Sequence, residues 1–400
     1  MPRKTRGLTF LTVENDVWMN ANALDLLPVL YRAALEAVDP ERAVRSALAL
    51  PEIAIAVRNA RRVAVFAVGK GAAAMFRAAW KPGRKGLVVL PRGYPAPRGR
   101  GVRVHFSSHP EPDASSVLAA RAAILFFSGF SPGDLILCLV SGGASSLLCL
   151  PRSGVTLAAK KRTVARLART GAPIADVNRL RTSLSAVKGG KLGRGTAARL
   201  VTLVLSDVPG DRASLVGSGP TVRGRRGDVT RVVVSNRDGL AGAAREARRR
   251  GLDARISRRR LAGEARDAGL SLARAARRFA PGTALLAGGE TTVSLGRARG
   301  TGGRSLELAL AAAIALEGIK DVAILAAGSD GRDGSSRAAG ARVDGNTVER
   351  ARRRGLDPER ALARHDAEPF LEAADALLVT GPTGTNVADW AFAVHVRRET

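Results

Sequence analysis

Short apolar runs that alternate with helical segments are the feature that most constrains how this chain can fold. Each run is long enough for one buried strand, and helical periodicity fills most of the sequence between the runs. Strands that are joined by helices in this way form parallel βαβ layers. The runs cover residues 63–68, 87–90, 102–106, 135–140, 200–205, 232–234, 284–287, 322–327, 377–380 and 392–396.

This alternation predicts an α/β fold with two α/β/α layered domains, whose sheets are mostly parallel or mixed. The 400 residues fit two or three domains of ordinary size, and 46% hydrophobic residues are enough for their cores. A charged, glycine-bearing segment at 221–228 has the composition of a linker. We therefore predict a Rossmann-like domain over 1–225, which opens with helices at 24–38 and 41–57, and a second α/β domain over 226–400.

The net charge of +29 raises the question of a nucleic-acid partner. The arginines are spread along the chain, and no recognition-helix, zinc-finger or RNA-binding aromatic motif accompanies them. We therefore expect no specific nucleic-acid partner and only nonspecific attraction to polyanions at low salt. Cys138 and Cys149 lie in apolar surroundings without CxxC spacing, which indicates buried thiols in a reducing compartment.

The amino-terminal segment 1–18 lacks the pattern of a signal peptide. Its apolar patch at 8–13 is short and is followed by Glu14 and Asp16. The sequence contains no run of about 18 or more uncharged apolar residues that could span a membrane. We expect a cytoplasmic protein without a membrane-spanning helix.

Two acidic, glycine-bearing loops follow predicted strands. Asp330 and Asp333 lie in the loop 328–341, and Asp207 and Asp211 lie in the loop 206–211. Open α/β sheets bind their ligands at the carboxyl ends of strands, and carboxylates in such loops can hold Mg²⁺ together with water. We take Asp207 and Asp211 as the metal candidates. The alternative is structural, because aspartate and glycine also favour tight turns.

Two further loops have the composition of phosphate sites. Gly69 and Lys70 stand between a strand and a helix in a loose GxGxxA pattern, where the helix amino terminus favours negative charge. The next strand ends at Arg92 and lacks the carboxylate that would bind a ribose hydroxyl, so the dinucleotide signal is weak, although Arg92 leaves NADP open. Lys70 is better explained as a cation directed into a cleft. The loop 141–146 offers an anion nest from the residues Ser141, Gly142, Gly143 and Ser145.

Polar residues at three other places bear on function. Arg304 opens an apolar helix, where the dipole disfavours a cation, so an anionic ligand would explain its position. The turn 380–386 is rich in hydroxyl and amide groups, which favours ligand binding by Thr383 and Asn386. The histidines are too scattered for a metal cluster, and we predict a structural turn at His109.

Taken in order, these segments resemble one family, the class II glycerate kinases, also called glycerate 2-kinases or MOFRL-domain proteins. The resemblance covers nearly the whole chain from about residue 24. It is carried, in this order, by the segments 68–70, 139–146, 188–190, 206–211, 218–221, 288–292, 302–304, 328–341 and 380–386.

The resemblance implies an enzyme that uses ATP and Mg²⁺ to phosphorylate D-glycerate, mostly at the 2-hydroxyl, in a cleft between two α/β domains. It implies that Lys70 and Arg304 are the key catalytic cations. It also places Gly69, Lys188 and Glu290 among the residues that bind substrate or nucleotide. The chain departs from the family pattern at Ala144, Ser183 and Ser305-Leu306, where glycine, histidine and Asn-Gln are usual, and this leaves a changed substrate open.

We therefore predict an ATP- and Mg²⁺-dependent glycerate kinase, a monomer or homodimer. Lys70 would contact the transferred phosphoryl group, Arg304 the substrate carboxylate or the developing charge, and Asp330 or Asp333 would orient the attacking hydroxyl. An NAD(P)-dependent hydroxypyruvate reductase and a nonenzymatic binding protein are the alternatives. Since the candidate residues come from both domains, we also expect the cleft to close when both substrates bind, with 221–228 as the hinge.

Overall fold

The computed structural model describes residues 22–170, 174–296 and 300–397, without the side chains of residues 168, 169, 174 and 175. Our prediction for the segment 1–18 lies outside the described residues. The strands of the described part are β1 (Val63–Val68), β2 (Lys85–Pro91), β3 (Val102–Ser107), β4 (Leu135–Val140), β5 (Arg199–Leu205), β6 (Val229–Val234), β7 (Asp253–Ile256), β8 (Thr283–Gly289), β9 (Val322–Gly328), β10 (Gly340–Asp344), β11 (Leu377–Leu378) and β12 (Asp389–His395).

Helices cover both sheets, in agreement with the predicted α/β fold. They are α1 (Ala23–Ala37), α2 (Pro40–Leu48), α3 (Pro51–Arg58), α4 (Ala72–Ala79), α5 (Ala114–Ser128), α6 (Ala144–Leu147), α7 (Leu157–Arg169), α8 (Ile174–Ser183), α9 (Lys191–Arg194), α10 (Asn236–Arg249), α11 (Ala265–Ala276), α12 (Arg304–Leu316), α13 (Thr347–Arg352), α14 (Pro358–Ala363) and α15 (Ala367–Ala373).

The first sheet is parallel throughout and has the strand order β3-β2-β1-β4-β5-β6. This is the order of a Rossmann fold, in which the connections change direction between β1 and β4. Ligands of such sheets bind in the crevice at this switch point. The predicted Rossmann-like domain is therefore present, and its topology predicts a ligand site at the loops after β1 and β4.

The domain boundary that we predicted at residue 225 is wrong. Strand β6 pairs with β5 in the first sheet, so the segment 221–228 connects two strands of one domain. Its glycines and charges make a surface turn with the composition of a linker. The boundary lies after Val234, and 221–228 is not the hinge.

The second sheet is mixed, with the order β11-β10-β9-β12-β8-β7. Strand β12 is antiparallel to both β8 and β9 and lies between them. Its first residue, Asp389, is therefore paired with Gly289 and Gly328, at the edge where β8 and β9 end. The sequence did not predict β7, which is only four residues long, or β10, which begins with glycine and has few apolar residues.

The opening helices belong to different domains. Helix α1 packs against α10 and the second sheet, and Tyr31 Oη donates a hydrogen bond to the Gly328 carbonyl at 2.7 Å. Helix α2 packs against α4 of the first domain. The predicted helix at 41–57 is interrupted before Pro51, which lacks an N–H group and starts α3 instead. The chain thus passes between the domains twice, near Val38 and near Ser235.

Alanine, leucine and valine fill the cores, as the low aromatic content requires. One apolar cluster continues from the first sheet through α1, α2, α4 and α10 to the second sheet. Across the described residues, we find no helix that is long and apolar enough to cross a membrane.

Candidate functional site

The candidate residues converge where the switch point of the first sheet faces one edge of the second sheet. The loops after β1, β4 and β5 supply residues from the first domain. The ends of β8 and β9 and the beginning of β12 supply residues from the second domain. Sheet topology thus explains why segments that are far apart in sequence meet here.

The loop after β1 is fixed by close contact with the loop after β4. Gly69 has φ 121°, and a Cβ at this position would lie 2.1 Å from Ser141 Oγ, so only glycine fits. Gly71 N donates to Ser141 Oγ at 3.0 Å, and Lys70 N donates to the Gly142 carbonyl at 2.9 Å. The backbone therefore holds Lys70 with its side chain directed to the second domain.

Lys70 forms an ion pair across the cleft. Its Nζ lies 2.5 Å from Asp330 Oδ2, and both side chains are largely buried. Burial lowers the pKa of Lys70, but the charge of Asp330 and its hydrogen bond outweigh burial, so the net pKa is raised. The lysine is therefore a charged group at neutral pH.

Asp207 is a partly buried carboxylate on the first-domain side. Asn386 Nδ2 donates to Asp207 Oδ2 at 3.3 Å, which is a second contact between the domains. Burial, and then the charge of Glu290, raise the pKa of Asp207 to about 6. The loop after β4 passes close by, since a Cβ on Gly142 would lie 2.1 Å from both Asp207 Oδ2 and Asn386 Nδ2.

The predicted metal pair, Asp207 and Asp211, stays a prediction. Asp211 lies in a short 3-10 turn with φ 51° and is partly exposed. The described residues contain no group of three or more histidine, cysteine, aspartate or glutamate side chains that could hold a metal ion. Asp207 has the chemistry of a Mg²⁺ ligand, because it is an oxygen donor whose burial disfavours its charge unless a cation is near.

Arg304 is the first residue of helix α12, as predicted, and carboxylates hold it there. Its Nε and Nη2 donate to Asp389 at 2.5 and 3.1 Å, and its Nη1 pairs with Glu290. Burial lowers the pKa of Arg304, but the charges of Asp389 and Glu290 outweigh it and raise the net value. Burial also raises the pKa of Asp389 to about 6, against the opposing effect of Arg304.

The sequence interpretation missed Asp389. It placed the last strand at 392–396 and gave no direction for it, so nothing aligned the residues before it with the site. The available signal was a carboxylate next to an apolar run, which becomes informative only once the strand is known to be antiparallel.

Asp333 serves the helix rather than the open cleft. Its Oδ2 accepts a hydrogen bond from Leu306 N at 2.7 Å, so the carboxylate caps the beginning of α12. Burial, and then the charge of Asp389, raise the pKa of Asp333 to about 7. Of the two carboxylates predicted to orient the hydroxyl, Asp330 is the one that the structure places beside Lys70.

Several side chains that were predicted to bind substrate or nucleotide support loops in this structure. Ser141 is fully buried and braces the loop after β1. Thr383 Oγ1 donates to the Ser329 carbonyl at 2.5 Å, next to Asp330. Ser145 Oγ accepts from Lys188 Nζ at 2.5 Å, so these two predicted residues are neighbours on the far side of the loop 141–146.

His109 and Tyr94 are near Lys70, although the sequence assigned neither to the site. A Cβ on Gly143 would lie 3.1 Å from His109 Cδ2 and 3.5 Å from Lys70 Cγ, so the three residues adjoin. Burial, and then the charge of Lys70, lower the pKa of His109 to about 4, which leaves the ring neutral near pH 7. Burial and Asp330 raise the pKa of Tyr94. Both residues follow strands of the first sheet, which is the signal that could have identified them.

The departure at Ala144 is explained by packing. Ala144 is the first residue of helix α6 and is buried against Gly217. Its methyl group therefore lies in the core and does not narrow the nest at Gly142 and Gly143. Leu306 is likewise fully buried within α12.

Comparison with known proteins finds the same organisation elsewhere. A domain of unknown function, DUF4147, matches residues 26–248, and the MOFRL family matches residues 283–389. A glycerate 2-kinase of Pyrococcus horikoshii is 34% identical over 91% of this chain and 96% of the relative. An Agrobacterium vitis relative with the provisional name hydroxypyruvate reductase is 37% identical over 93% of this chain and 94% of its own length.

A solved structure matches as well. The crystal structure of the Thermotoga maritima glycerate kinase has a TM-score of 0.81 and 33% sequence identity, and the match covers 93% of this chain and 99% of that chain. Both the sequence and the fold are therefore shared over almost the whole length. The protein belongs to the class II glycerate kinases, the MOFRL family.

Proposed function

We propose that this protein transfers the γ-phosphoryl group of ATP to the 2-hydroxyl of D-glycerate in the cleft between its two domains. The observation that carries the proposal is the Lys70–Asp330 ion pair, which joins the two domains beside Arg304 and Asp207. Phosphoryl transfer requires positioning and neutralisation of charge more than covalent chemistry. Cations and a carboxylate that meet in a largely buried cleft fit this requirement.

Each group has a place in the reaction. The hydroxyl oxygen of glycerate attacks the γ-phosphorus, the bond to the bridging oxygen of ADP breaks, and the hydroxyl proton is lost. Asp330 orients the hydroxyl and receives the proton, while Lys70 stabilises charge on the transferred group. Arg304, about a third exposed, faces the glycerate carboxylate with the donors that Asp389 and Glu290 leave free.

We further propose that Mg²⁺ accompanies ATP and that Asp207 is its protein ligand. A kinase site commonly holds Mg²⁺ through one or two carboxylates and the phosphates of the nucleotide, so a single aspartate is sufficient. When bound, the ion would neutralise phosphate charge. We also propose that the protein is cytoplasmic and that it is a monomer or a homodimer.

The reductase alternative is less consistent with the contacts of the first domain. Arg92 Nη2 donates to Asp113 at 3.0 Å and to Ser115 at 3.1 Å, so it is engaged at the start of α5. The N–H groups of Lys70 and Gly71 already have partners in the loop after β4. A pyrophosphate at this turn would have to replace those bonds.

A paired assay tests the proposal. Purified protein is given D-glycerate with Mg-ATP, and separately hydroxypyruvate with NADH or NADPH. We expect ADP formation that depends on D-glycerate, and a product that enolase converts directly, as 2-phosphoglycerate requires. Oxidation of NAD(P)H without ADP formation would reject the kinase in favour of the reductase, and activity only with another hydroxy acid would reject glycerate as the substrate.

A further inference from the structure

A cavity of about 660 Å³ lies in the first domain. Ser145 and Ser146 of the loop 141–146 line it, whereas Lys70 and Asp330 do not. Helix α7, the carboxyl-terminal end of α8 and the turn 110–112 form its walls. Its volume is within the usual range for small-molecule sites, roughly 300–1,000 Å³. None of the residues that carry the mechanism proposed above lines this cavity.

The walls of this cavity are strongly basic. One acidic residue of the wall, Glu111, already pairs with Lys161 at 2.7 Å. The remaining basic side chains have no carboxylate within the lining that the structure describes. The basic residues are Lys160, Lys161, Arg162, Arg166, Arg181 and Lys188.

Two of the ammonium groups are buried. Lys160 and Lys188 are each 3% exposed. Lys188 Nζ donates to the carbonyl and hydroxyl oxygens of Ser145, at 2.7 and 2.5 Å. Lys160 Nζ has no hydrogen-bond partner in the described part of the chain. A buried charge without a counter-ion is costly, so this arrangement favours an anion in the cavity.

The protonation of these lysines agrees with an anion site. Burial lowers the pKa of Lys188 to about 7; Cys149 opposes this effect, while the charges of Lys160 and Arg181 add to it. Burial also lowers the pKa of Lys160, and the Cys149 sulfur offsets this only in part. An anion bound between Lys160, Lys188 and Arg181 would favour the charged forms of the two lysines.

The cavity also has an apolar side, and it adjoins the loop 141–146, which contacts the cleft. Val164, Ala165 and the prolines of the turn 110–112 supply surface for a ring system. Ser145, held by Lys188, is two residues beyond Gly143, which adjoins Lys70 and His109. A ligand that carries both an aromatic base and a chain of phosphates matches this combination, whereas glycerate is too small to use it.

We propose that this cavity binds the nucleotide donor, with the phosphates on Lys160, Arg181 and Lys188 and the base against Val164. The γ-phosphate then passes Ser145 toward Lys70, where the acceptor is held. This inference rests on the proposed kinase function, and it assigns the donor to the first domain and the acceptor to the cleft. Lys160 has no carboxylate partner in the described lining, and the nucleotide phosphates would supply its counter-charge.

The test compares Lys160→Met with the control Lys85→Met, an exposed lysine at the start of β2. The Lys160 change removes a charge that has no hydrogen-bond partner, so the fold should be retained, which a thermal melt verifies. Calorimetry measures the Kd of MgADP and of inorganic tripolyphosphate, and steady-state assays measure both KM values. We expect the Lys160 variant to raise the Kd of MgADP and the KM for ATP by at least about tenfold, with the KM for D-glycerate unchanged.

Arg181→Gln provides a second variant, with the same expected result. Unchanged MgADP affinity and KM for ATP in both variants would overturn the inference, as would a rise in the KM for D-glycerate instead. The kinase proposal is judged separately. If the wild type forms no ADP with glycerate but binds MgADP in a Lys160-dependent way, the function is wrong and the cavity assignment stands.

Discussion

Asp389→Asn is the substitution that best isolates the positioning of Arg304. Asp389 accepts two hydrogen bonds from the guanidinium, and the change removes its charge while keeping its size. Charge-assisted hydrogen bonds contribute about 1.5–3 kcal/mol, and a misplacement of about 1 Å in an active site can cost about 100-fold in rate. We therefore expect kcat/KM to fall by roughly 100-fold, which corresponds to about 2.7 kcal/mol.

The effect on stability should be much smaller. The buried carboxylate is itself unfavourable, as its raised pKa of about 6 shows, so removing its charge offsets part of the lost pairing. We expect the free energy of unfolding at pH 7.5 to change by no more than about 1 kcal/mol. Activity and stability should therefore separate in this variant.

A matched control is available in the same sheet. Arg350 pairs with Asp344 at 3.1 Å, and the exposed fractions of the two side chains, 32% and 15%, are close to the 34% and 10% of Arg304 and Asp389. Asp344 pairs with Ala323 near the start of β9, at the opposite edge from the site. Coupled assays of ADP formation should show that Asp344→Asn keeps kcat/KM within about twofold. If Asp389→Asn loses no more activity than this control, our assignment of Asp389 is refuted.

Three further predictions concern the same site. The pKa of Asp333 is raised to about 7 in the folded protein, so the contribution of Asp333 to stability is fully present below the unfolded pKa and is lost as the pH rises through 7. The variant Asp333→Asn, which can still cap α12, should therefore raise the melting temperature at pH 8 but not at pH 5. An equal loss of melting temperature at both pH values would contradict this prediction. Gly142→Ala should lower kcat/KM by at least about 100-fold, because its Cβ would separate Asp207 from Asn386. The control Gly129→Ala should be neutral, because a Cβ there lies no closer than 3.5 Å to its neighbours. Equal activities of the two variants would show that the close approach of Gly142 to Asp207 and Asn386 is unimportant. Small-angle scattering should record a smaller radius of gyration when nucleotide and glycerate are both saturating, with motion at residues 38–39 and 234–236, and an unchanged radius would rule out closure.

The local pattern of apolar runs was sufficient to predict the fold class and to locate most of the loops that reach the candidate site. Each run that lies between helices became a strand, and the loops after β1, β4, β5, β8 and β9 reached the cleft. These features depend on periodicity and on residue type within a few positions. Lys70 and Arg304 could be recognised for the same reason.

Pairing between distant strands was the part that the sequence did not predict. The assignment of β6 to the first sheet, and of α1 to the second domain, depends on tertiary contacts that composition does not encode. The same holds for Asp389, which reaches the site only because β12 runs antiparallel.

A double-mutant cycle on Lys70 and Asp330 tests the central claim most directly, since these residues come from different domains and meet at 2.5 Å. Lys70→Met, Asp330→Asn and the double variant are compared by kcat/KM in the glycerate-dependent formation of ADP. If the two side chains act together on one phosphoryl transfer, the double variant should be no more impaired than the worse single variant, a coupling of at least about 2 kcal/mol. Losses that simply multiply would mean that the two residues act independently, and they would contradict a single catalytic site between the domains.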